Sequence, residues 1–114
     1  MDITRRDVGP VTVLDLAGRL TGSDGQGALK QQVTELVTNG RTHIVLNLEA
    51  LTYMDSGGLG EMVSCYTTAS KAGGAVKLAH LTTRIKDLLT ITKLVTVFDS
   101  FDTEAGAVAS FPVS

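Results

Sequence analysis

Short apolar runs, cut by turn residues, dominate the first fifth of this chain, and helical periodicity takes over only afterwards. Residues 3–8 and 11–16 flank Gly9-Pro10, a turn signal, and together predict a hairpin. In the second run Val11, Val13 and Asp15 share one strand face, and Thr12, Leu14 and Leu16 share the other. Leu14 and Leu16 beside the two valines predict burial on both faces. A loop carrying Gly18, Gly22, Gly25 and Gly27 comes next. Leu29, Val33, Leu36 and Val37 then recur at helical spacing until Asn39-Gly40 stops the helix.

The second half alternates. Residues 43–48 form an apolar run that reads as a buried strand, and Leu59, Met62, Val63 and Tyr66 line one face of a helix ending at Gly73-Gly74. Residues 75–79 predict a short strand, and Ile85, Leu88, Leu89 and Thr92 a third helix. Residues 95–98 predict a last strand, and Asp102 caps a final helix carrying Ala105, Val108 and Ala109. This alternation predicts an α/β fold: a mixed, mostly parallel sheet of about four to five strands. Asn47 and Lys77 stay polar within the strands, so helices are expected mainly on one face.

Composition narrows the function classes. At 114 residues the chain has the length of a single domain, 1–114. Its formal charge of -2 comes from nearly balanced acids and bases, with no basic cluster to give a nucleic-acid footprint. Cys65 has no second cysteine to pair with, and His43 and His80 offer no zinc-ligand spacing, so neither metal nor cofactor is expected. The N-terminus lacks an apolar signal core and no apolar run is long enough to span a membrane, which predicts a cytoplasmic protein.

The chemistry of interest sits between the 43–48 strand and the helix after it, in Met54-Asp55-Ser56-Gly57-Gly58-Leu59-Gly60. Asp55 or Ser56 can cap that helix, since either side chain accepts from a free N–H of the first turn. Ser56 therefore lies in a glycine-rich turn too bare to shield it, which suits a modifiable hydroxyl on a docking surface. A protease reading fails, because a nucleophilic serine needs a histidine and an aspartate from distant loops, and this serine opens a helix. The Gly-x-Ser-x-Gly elbow fails at Met54. The segment 22–27 lacks the Gly-Lys-Ser/Thr ending of a phosphate-binding loop.

The strand, the Asp-Ser-Gly-Gly-Leu-Gly turn and the helix resemble the STAS domain family, the anti-sigma factor antagonists of bacteria. Residues 43–66 carry the resemblance most specifically, with weaker support from Gly18-Arg19-Leu20. The family often has an acidic residue where this chain has Thr21, and a second Ser or Thr where it has Gly57. The resemblance implies a switch protein, not an enzyme. Its unphosphorylated form would bind an anti-sigma serine kinase and free a sigma factor. Phosphorylation of Ser56 would end that binding, and a phosphatase would reset it. Thr21, Asp55, Ser56, Gly57, Gly58 and Leu59 are the implied partner-binding residues. A structural STAS domain, serving a signalling scaffold or as accessory subunit of an ABC lipid transporter, is the alternative that the resemblance leaves open.

Overall fold

The computed structural model describes residues 1–22 and 27–111. Its elements are β1 (Asp2–Val8), β2 (Val11–Leu20), α1 (Ala28–Thr38), β3 (His43–Met54), α2 (Ser56–Lys71), β4 (Ala75–Ala79), α3 (Thr83–Ile91), β5 (Ser100–Phe101) and α4 (Glu104–Ala109). The strands form one sheet in chain order. β1 and β2 pair antiparallel, closed by Gly9 at a left-handed φ of +61°, where glycine has no Cβ to clash. All later neighbours pair parallel. The expected mixed, mostly parallel α/β sheet is what forms.

Alternation along the strands divides the core. Leu14, Leu16, Ile44, Leu46, Leu48 and Leu78 point to the face covered by α1, α2 and α3, where they meet Leu29, Val33, Met62, Cys65, Ile85 and Leu89. Burying such side chains completely contributes about 1.5–3 kcal/mol each. The other face carries Val11, Val13, Val45 and Ala79, and α4 covers part of it with Ala107, followed by Phe111. The polar residues of that face are absorbed there. Asn47 donates to Asp15 at 2.8 Å, and Lys77 donates to Ser110 Oγ at 2.9 Å with its Nζ 4.5 Å from the Phe111 ring centre.

Three sequence expectations change. Residues 95–98 are not a strand: Lys93 takes a left-handed φ of +62°, a 3-10 turn runs over Leu94–Thr96, and Phe98 enters the main core at 3% exposure. The last strand is Ser100–Phe101. Thr103, not Asp102, caps α4, its Oγ1 accepting from the Gly106 N–H at 3.0 Å. Finally, Gly18 lies inside β2, which runs on to Leu20, and β3 runs on to Met54. Of the predicted glycine loop, Gly25 lies outside the described residues.

Candidate functional site

The extended ends of β2 and β3 build the site. Leu20 pairs with Met54, so both strands finish together at the carboxyl edge of the sheet. The Asp55 N–H reaches back to the Leu20 carbonyl at 3.3 Å. Asp55 is itself extended, at φ −105° and ψ −176°, and is the N-cap of α2. Its Oδ1 accepts from the Gly58 N–H at 2.8 Å and from the Gly22 N–H at 3.1 Å. One carboxylate oxygen therefore satisfies a free donor of the helix and holds the chain leaving β2. Of the two cap candidates in the sequence, Asp55 takes the role.

That division leaves Ser56 as the first helical residue, exposed. Gly57 is exposed beside it, while Gly58 and Leu59 are buried. The glycines are fixed by close approach. A Cβ on Gly57 would run into the backbone of Gly22, and one on Gly58 into the Leu20 carbonyl. Gly60 faces open space. Thr21 is only 4% exposed and Leu59 only 5%. The predicted residues are thus brought together in one turn, with Ser56 and Gly57 on its surface, Asp55 half-buried, and Thr21, Gly58 and Leu59 inside.

Two further features surround the turn. Glu61 on α2 accepts from the N–H groups of Gly27, Leu29 and Lys30, at 2.9, 2.9 and 3.2 Å. It caps α1, which has no capping side chain and no acidic residue in its own first turn. The only trace in the sequence is that absence, with Gly27 where a capping residue would stand. Lys30 Nζ then donates to Ser64 Oγ at 2.5 Å, tying α1 and α2 one turn further on. Behind them the buried Cys65 thiol is pushed up to about 12 by burial, with a smaller contribution from the Glu61 charge.

The second feature is a pair of guanidinium groups on one ring. Arg19 lies opposite Tyr53 in the β2–β3 register and places its Cζ 4.7 Å from the ring centre. Arg84, from the first turn of α3, lies 5.6 Å from the same centre. Among the described residues no group of three or more His, Cys, Asp or Glu is placed to hold a metal ion, and no helix is long and apolar enough to cross a membrane.

Comparison with known proteins agrees with this architecture. An anti-sigma F factor antagonist from Paenibacillus polymyxa is 27% identical over 104 residues, covering 90% of this chain and 88% of its own. A structure assigned as an anti-sigma factor antagonist from Thermotoga maritima superposes with a TM-score of 0.87 at 23% identity, over 94% of this chain and 92% of that one. The anti-sigma factor antagonist SpoIIAA, in its unphosphorylated form, gives 0.73 at 21% identity over 95% and 96%. The Bacillus SpoIIAA in its phosphorylated form also gives 0.73, at 20% identity over 95% and 97%. A family model described as the STAS domain matches residues 3–107, nearly the whole sheet and its helices, and the chain belongs to the STAS domain family.

Proposed function

We propose that this single domain is an anti-sigma factor antagonist, switched by phosphorylation of Ser56. Unmodified, it binds an anti-sigma serine kinase and frees a sigma factor. The kinase transfers a phosphate from ATP to Ser56 and the complex separates, and a phosphatase restores the hydroxyl. The domain is substrate and ligand in this cycle and carries out no catalysis.

The observation that carries the reading is the division of labour at the α2 N-terminus. Asp55 does the capping, so the Ser56 hydroxyl is exposed and is not needed to hold the helix. The relatives named as anti-sigma factor antagonists support it, as does a solved phosphorylated form of one of them. A phosphate adds about −1.5 to −2 charge and three acceptor oxygens. At a helix N-terminus that charge is favoured by about 0.3–1 kcal/mol, so the fold accepts it. A partner lying over the turn must instead desolvate the dianion beside the half-buried Asp55, which is costly. Ser56 and Gly57 form the contact surface in this scheme, and Thr21, Asp55, Gly58 and Leu59 shape it from behind.

The test is affinity capture from the native host with Ser56→Ala and Ser56→Glu baits, followed by ATP labelling with the captured kinase. An ATP-binding anti-sigma protein held by the alanine bait, lost from the glutamate bait, and labelling only the wild-type chain is the expected result. Identical partners on both baits, or scaffold or transporter subunits in place of a kinase, would overturn it.

A further inference from the structure

Three arginines of the described residues are held in ion pairs. Arg5 pairs with Asp7, Arg6 with Asp15 and Glu104, and Arg41 with Asp7. Arg19 and Arg84 are the other two arginines: among the described residues neither is in an ion pair, and both lie on the Tyr53 ring. Two like charges drawn to one ring repel each other, and at an exposed site each contact with the ring contributes only about 0.5–1 kcal/mol. Both arginines are exposed and Tyr53 is half-buried. Their elements differ too, one in β2 and one in α3, so the convergence is a product of the fold and not of sequence proximity.

Position gives the pair its meaning. Tyr53 is the penultimate residue of β3, and Ser56 begins α2 just beyond the Asp55 cap. The arginine pair and the serine therefore share the carboxyl edge of the parallel strands, where open α/β sheets place their ligand crevices. We infer that Arg19 and Arg84, held on Tyr53, form a docking platform for an acidic segment of the protein partner. The inference rests on the anti-sigma antagonist reading and gives the partner's contact surface a sign. Charge complementarity of this kind steers encounter and excludes wrong partners. It also couples to the switch: a phosphate on Ser56 adds about −1.5 to −2 charge to the edge that carries these two guanidinium groups. The acidic segment then loses its attraction at the same moment that the turn becomes bulky.

The test uses the full chain and the kinase captured by the Ser56→Ala protein, with affinity measured by titration calorimetry. Arg19→Glu with Arg84→Glu is expected to weaken binding about tenfold or more, and to flatten its dependence on salt between about 50 and 300 mM. Arg5→Glu with Lys71→Glu changes net charge equally away from this edge and is expected to bind within about twofold of the parent. Circular dichroism checks folding, and Arg19→Gln with Arg84→Gln replaces the reversal pair if that pair does not fold. Binding by the reversed or neutralised pair that matches the Arg5/Lys71 control would overturn the platform and leave the proposed function standing. Failure to capture any anti-sigma protein would overturn both.

Discussion

At the scale of single residues, neighbouring glycines of one turn have opposite meanings. Gly58 lies against the Leu20 carbonyl, so Gly58→Ala is expected to destabilise the protein by about 1–3 kcal/mol through overpacking. Gly60 faces open space in the same helix, and Gly60→Ala is expected to stabilise by about 0.4–1 kcal/mol, because alanine narrows the unfolded ensemble and favours helix. Urea melts of the two variants should move in opposite directions, and a shared direction would contradict the packing described. The sequence showed a bare, glycine-rich turn without showing which glycines were needed, because close approach of Leu20 and Gly22 joins residues more than thirty positions apart. Asp55 and Ser56 were equally good caps by residue type, and only the backbone geometry separates them. Cys65 illustrates the reverse case. Three residues after Met62, it falls on the buried face of α2, and with the thiol pushed up to about 12 it should be inert. A thiol reagent at pH 8 should label the native protein at least about a hundredfold slower than the urea-unfolded chain.

At the scale of elements, α1 depends on a residue of α2. Three N–H groups at its start end on the Glu61 carboxylate, so Glu61→Ala is expected to cost about 1–2 kcal/mol. Hydrogen exchange should locate that loss, with protection falling at the Leu29 and Lys30 amides while β3 stays protected. Uniform loss across the chain would mean that Glu61 acts otherwise than as a cap. No local pattern discloses this, since a cap borrowed across about thirty residues has no sequence signature. Strand ends were also hard to read, for a physical reason. The β2–β3 ladder slips in register between Asp15 and Ala17 and again between Gly18 and Arg19, so strict alternation fails where the strands continue. The apolar run at 95–98 misled in another way. A short run of that kind fits a strand or a tucked turn equally, and Lys93 in the left-handed region settled it as a turn. The helices, with their sustained spacing, were legible throughout.

At the scale of the molecule, the two faces of the sheet are held differently. The main face is apolar and crowded, whereas the face under α4 mixes a small apolar cluster with charge. Arg6 links β1, β2 and α4 by reaching both Asp15 and Glu104. The bond from Arg6, and then that from Asn47, holds the Asp15 carboxyl below the usual carboxylate range. A carboxyl depressed in the folded state contributes stability that is full above its unfolded value and is lost as pH falls through the folded one. Wild-type stability should therefore drop on acidification below about pH 4, and Arg6→Met should be less stable at pH 7 with a shallower acid loss. Parallel pH titrations of the two melting curves would reveal it, and curves of equal slope would argue against the Arg6 link. The anchoring of Gly22 to Asp55 and of Gly27 to Glu61 has one more consequence. Asp55 caps α2 and Glu61 lies within it, so the end of β2 and the start of α1 are each moored to that helix by a bond of their own. The first half of α2 is thereby a hub, and its loss is expected to release the end of β2 and the start of α1 together.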